Sequence, residues 1–213
     1  MFNIHWYPVT TFLTGSTCLL LAFFVWIKGR GNTVNTLFSL FILSIAAWCF
    51  GAYVVNITAS PETALRWVRI FHLAAVFPPP LSIDFLYAVT GRNRRVIRWV
   101  YLPSIAFLLL VFTPQFVTGV ARAPYIGFSY TTGIAYVPFI VFFFSATLYG
   151  LWVIYHGYRT ATGHKRSQLR YFLFAFSVIF TGSIIYFLLS IRSDISIPPV
   201  DNFFIVLFVS IIA

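Results

Sequence analysis

The chain has 213 residues, 60% of them hydrophobic and 8% charged, with a formal net charge of +10. A soluble domain carries about 25% charged residues, so this composition points to a bilayer as the main solvent. The basic residues stand in short clusters between long uncharged stretches, which is how membrane topology is written and argues against a nucleic-acid binder.

A membrane helix needs about 20 apolar residues. The first segment of that kind is Pro8–Ile27. It lacks a preceding basic region and a small-residue cleavage site, and Lys28 and Arg30 stop it, so it reads as a retained helix and not a signal peptide. Cys18 here and Cys49 in the next segment, Val34–Ile57, are small buried hydrophobes and not a disulfide framework. Asn32, after the Gly29-Arg30-Gly31 turn, is placed to cap the second helix.

The third segment, Arg66–Val89, carries most of the unusual residues. Ser60-Pro61-Glu62 supplies an N-cap, a first-turn proline and a first-turn acid. Arg66, Arg69 and His72 recur on approximately one face. That face either meets an anionic ligand or is simply solvated, with Glu62 pairing Arg66. Pro78, Pro79 and Pro80 remove three amide donors and break or kink the helix, as a static bend or as the edge of a pocket or hinge. Asp84 is the acid expected inside a crossing, with no intramembrane cation in view to pair with it. Such a carboxyl either serves function or ties its helix to a neighbour through hydrogen bonds.

The fourth to sixth segments are Val96–Phe112, Ile134–Tyr155 and Tyr171–Ile191. A proline-stiffened outer loop, Ile197-Pro198-Pro199-Val200-Asp201-Asn202, leads to a seventh apolar stretch from Phe203 to Ala213. That stretch is about half a crossing, which implies an incomplete helix or the front part of something longer. Lys28 and Arg30, then Arg92, Arg94, Arg95 and Arg98, then Arg159, Lys165, Arg166 and Arg170 occupy alternate loops, ten of the fourteen basic residues. The positive-inside rule then puts the N-terminus outside. Trp6, Tyr7, Trp67, Trp99, Tyr101 and Tyr171 fall near the interfaces, as an aromatic belt does. The run His164–Arg170 is a topology anchor that also suits anionic headgroups.

The expected fold is therefore all-α: one polytopic membrane bundle over residues 1–213, with six complete crossings and an incomplete seventh. No phosphate-binding loop, zinc motif or nucleophile elbow is present. Both lysines lie in loops, which excludes a buried retinal Schiff base, and one histidine in a crossing is too few for a haem. The chain reads as non-catalytic and without a cofactor, with the lipid bilayer as its first partner. A small transporter or channel built on Asp84 and the proline break, or a structural subunit of a membrane complex, are the rival functions.

The run Gly31-Asn32-x-x-Asn35-x-x-Phe38 with Ala47-Trp48-x-x-Gly51 resembles the opening of the seven-helix N-terminal region of bacterial histidine kinases. The mid-helix prolines followed by Phe85, Tyr87, Thr90 and Gly91 are similar to that family's third helix. Arg166-Ser167-Gln168-Leu169-Arg170-Tyr171 and the Ile195–Pro199 loop fit it too. The resemblance implies a multi-pass sensor of the cell membrane that relays a signal through helix seven to a cytoplasmic signalling domain; a homodimer is expected separately, because signal-transducing dimers are common. Asp84, Pro78, Pro79, Pro80, His72 and Arg69 are the candidate sensing or hinge residues.

Overall fold

The computed structural model describes residues 6–123, 127–190 and 200–212. Eight α-helices and one β-hairpin follow in the order α1 (Trp6–Lys28), α2 (Thr33–Ile57), α3 (Pro61–Ala75), α4 (Pro78–Thr90), α5 (Ile97–Leu110), β1 (Val117–Arg122), β2 (Phe128–Thr132), α6 (Tyr136–Thr160), α7 (Gly163–Ser190) and α8 (Val200–Ile212). A short 3₁₀ turn, Arg94–Val96, precedes α5.

Local chemistry sets the helix ends. Asn32 caps α2, its Oδ1 accepting from Val34 N at 2.9 Å and Asn35 N at 3.4 Å. Ser60 Oγ accepts from Thr63 N at the start of α3, with Pro61 at N1 where its missing N–H costs nothing. Gly91 closes α4 at φ +71°, a left-handed turn that glycine adopts without strain, and Arg92 N reaches back to Tyr87 O at 2.9 Å.

The bundle is apolar outside as well as inside. Leu20, Phe24, Trp99, Leu109, Leu148 and Phe174 are all more than half exposed. In water that would be a broad hydrophobic surface; against lipid it is the solvated face. Trp6–Lys28, Thr33–Ile57, Pro61–Thr90, Tyr136–Thr160 and Gly163–Ile185 are long and apolar enough to cross a membrane. The fourth expected segment is a 14-residue helix, α5, with Pro103 inside it, and so falls short of the expected Val96–Phe112.

The fold is all-α as expected, and two features add to the expected segments. The stretch between α5 and α6 contains the antiparallel hairpin β1–β2, with a bulge between Val117 and Gly119. Its Phe128 and Val117 are buried against α3 and α5 together with Phe71, Phe107 and Phe116. The hairpin is pinned to the α2–α3 connection by Arg122 Nη2 donating to Ala59 O at 3.2 Å and Gly127 N donating to Asn56 Oδ1 at 3.2 Å. A Cβ at Gly127 would stand 2.3 Å from the Asn56 carbonyl oxygen, so only glycine allows this approach. The basic run His164–Arg170 is the start of α7 itself, since α6 and α7 are joined through Ala161 and Thr162 alone.

The core divides into two clusters. The larger lies among α1, α2, α4, α6, α7 and α8 and includes Phe38, Phe41, Phe85, Phe176 and Phe208. The smaller joins α3, α5, α6 and the hairpin through Phe71, Phe107, Phe116, Tyr136 and Phe139.

A cavity at the proline break

The third crossing is two helices. Residues 78–80, as prolines, cannot donate to the carbonyls of Ala74, Ala75 and Val76, so α3 ends at Ala75 and the prolines become the first turn of α4. A donor-less first turn costs little, because those amides have no helical partner in any case. Two of the freed carbonyls find substitutes: Ala74 O accepts from Phe77 N at 3.2 Å, and Val76 O from Ser104 Oγ of α5 at 3.2 Å. The break is thus tied to a neighbouring helix.

Beside the break lies a cavity of about 130 Å³, between the two core clusters. Ala75, Pro78, Pro79 and Ser82 form its wall at the break, and Phe41, Ile45 and Trp48 of α2 face them. Tyr130 of β2, with Tyr136 and Phe139 of α6, closes one side, and Phe176 and Ser183 of α7 another. Asp201 and Phe204 of α8 complete it.

His72 borders this cavity and is 2% exposed, which overturns the solvated-face reading for this residue. Its ring stacks on Phe71 at 4.4 Å and meets Tyr130, Phe116 and Tyr136 edge-on at 5.0, 5.4 and 5.6 Å. Nδ1 lies 2.7 Å from Val68 O. A carbonyl only accepts, so Nδ1 carries the proton, and in the neutral ring Nε2 is left as an acceptor. Arg69 is half-buried and its Nε has no hydrogen-bond partner among the described residues, whereas Arg66 is exposed. Glu62 and Arg66 form no ion pair; among the described residues the pair that forms is elsewhere.

That pair belongs to Asp84. Arg94 Nε donates to its Oδ1 at 2.6 Å and Nη2 to its Oδ2 at 2.9 Å, a two-pronged contact, and Tyr101 Oη adds a long bond at 3.4 Å. The cation absent from the crossing comes instead from the 3₁₀ turn ten residues on, folding back over the end of α4. The Asp84 hydrogen bond raises the Arg94 pKa above its ordinary value. Asp84 does not border the cavity, while Pro78, Pro79 and His72 do.

Asp201 and Asn202 were expected in an outer loop. They lie instead in the first turn of α8 and are buried, 7% and 3% exposed. Residues 195–199 of that loop lie outside the described residues. Asn202 Nδ2 donates to Thr11 Oγ1 of α1 at 2.9 Å and approaches Thr10 Oγ1 at 3.3 Å, tying the last helix to the first. Asp201 Oδ1 is buried without a hydrogen-bond partner among the described residues. The signal for this placement is an acid two residues after a proline pair and just before an apolar run, a helix-start pattern. The signal for Tyr130 is the alternation Phe128-x-Tyr130-x-Thr132, a strand period that the β1 bulge obscures on the partner strand.

An apolar exterior and several membrane-length helices define a multi-pass membrane protein, and the cavity at the helix break is its candidate site. The chain belongs to the family of N-terminal 7TM regions of histidine kinases, whose model matches residues 10–213. A comparison with curated proteins found no match. The family is the membrane region of histidine kinases, so the resemblance seen in the Asn32, Trp48 and Arg166–Tyr171 motifs identified the family correctly.

Proposed function

We propose that this membrane sensory module has its N-terminus and hairpin outside, crosses the membrane seven times, and passes its signal through α8 to a cytoplasmic histidine kinase or similar effector. The observation that carries the reading is the cavity: one wall is the proline break of α3–α4 and another is the first turn of α8. A change in what fills it therefore acts on the break and on the last helix at once. Asn202, held by α1, gives α8 a fixed point against which to move. Pro78, Pro79, Pro80 and His72 act as hinge and sensing residues, with Arg69 beside them. Asp84 holds the basic turn onto α4 and acts as the inner latch. A homodimer, as is common among signal-transducing proteins, is the working form.

The orientation follows from charge. Lys28, Arg30, Arg92–Arg95 and Lys165 flank the α1–α2, α4–α5 and α6–α7 turns, which the antiparallel helices bring to one end of the bundle. The hairpin, the α2–α3 turn and the start of α8 share the other. Placing the basic end in the cytoplasm satisfies the positive-inside rule and points the last helix toward the compartment that holds ATP.

The test is autophosphorylation of the parent kinase in proteoliposomes, comparing the native protein with Asp84→Asn and with Pro78, Pro79 and Pro80 all changed to alanine. The proline variant is expected to fix output at one level, and Asp84→Asn to shift its basal value. Unchanged signalling in Asp84→Asn removes that residue from the mechanism, and solute flux through the native protein favours a transporter instead.

A further inference from the structure

The walls of the cavity share one chemical bias. Ser82 Oγ donates to Pro79 O at 2.8 Å, Thr147 Oγ1 to Phe143 O at 2.8 Å and Ser183 Oγ to Ile179 O at 3.0 Å. Each hydroxyl has therefore spent its proton on its own helix and turns lone pairs to other partners. His72 has likewise committed Nδ1–H to Val68, which leaves Nε2 as an acceptor. Asp201 adds a carboxylate oxygen, buried and without a partner among the described residues. Among the described residues no lysine or arginine borders the space. The donors at the wall are the Trp48 indole and the Tyr130–Tyr136 pair, whose hydroxyls bond each other at 2.9 Å. Most of the remaining surface is aromatic, including Phe41, Phe139, Phe176 and Phe204.

A set of acceptors, one buried carboxylate and many ring faces is complementary to a cation that carries N–H donors. A buried carboxylate with one oxygen left unpartnered is costly and is relieved by an opposite charge. Ring faces attract the same charge through their quadrupoles. Size limits the body of the ligand, since a cavity of about 150 Å³ accepts a benzene molecule, and this one is about 130 Å³. We propose that the cavity binds a small organic ammonium ion with an apolar body of about one ring, its nitrogen on Asp201 and His72 and its body among the phenylalanines. The ligand's role as stimulus rests on the sensory reading above; its binding does not.

The test uses the purified chain in lipid nanodiscs, titrated with benzylammonium and with its neutral isostere benzyl alcohol, empty nanodiscs correcting for partition into lipid. Saturable binding of benzylammonium is expected, with an affinity on the order of tenfold or more above the alcohol, the difference that one buried charge pairing makes. Asp201→Asn should remove that preference and leave the alcohol's binding within about threefold. Equal affinity for amine and alcohol on the unmodified chain overturns the proposal without recourse to any variant. So does an unchanged preference in Asp201→Asn, or the absence of saturable amine binding. Binding that leaves the parent kinase's output unmoved keeps the ligand class and fails the sensory reading, so the two are judged separately.

Discussion

Asp84 and Arg94 divide their burial unequally: the carboxylate side chain is 9% accessible and the guanidinium 40%. Removing the cation strands a buried charge with only the long Tyr101 bond, whereas removing the acid releases a cation that is already half in solvent. Arg94→Ala should therefore cost about 2–3 kcal/mol and Asp84→Asn nearer about 1 kcal/mol. Denaturant unfolding in detergent measures both, and equal losses would show that the pair is not desolvated as the geometry indicates. Asp84 itself was legible in the sequence because an acid in an apolar run stands out. Its partner was not, because Arg94 lies past a turn and reaches Asp84 only when the 3₁₀ segment folds back. Asp201 shows the reverse case: its prolines read as a loop, and its burial depends on α1 and α7 packing around it.

At the scale of the element, the three prolines separate a 30-residue apolar span into two helices. Changing all three to alanine restores donors for the Ala74, Ala75 and Val76 carbonyls and removes the ring clashes that stop α3. A continuous helix then places residues 62 and 90 about 42 Å apart. Spin labels at Glu62 and Thr90 should report a shorter separation in the native protein and approach that value in the triple variant. An unchanged distance would mean that packing, and not the prolines, holds the bend. The break was legible because proline chemistry is local. The hairpin was missed because its register carries a bulge and its buried face is completed by α3 and α5.

For the molecule as a whole, charge and hydrophobicity specify an axis with a basic end and a hairpin end. With Cys18 and Cys49 replaced, Thr118→Cys on the exposed hairpin strand should react with an impermeant maleimide on intact cells, and Arg95→Cys only after the cells are opened. The opposite pattern would invert the topology and place the cavity's α8 wall toward the cytoplasm.

The sequence by itself determined the solvent, the approximate crossings, the proline break and the family, because hydropathy, charge clusters and lost amide donors are properties of short stretches of chain. Only the tertiary structure decided that His72 is buried among rings, that Asp84 holds Arg94, and that Asp201 faces a cavity with the break. Those facts depend on which side chains meet across helices far apart in sequence. That is set by how the break, the hairpin and the last helix pack, and no local pattern records it.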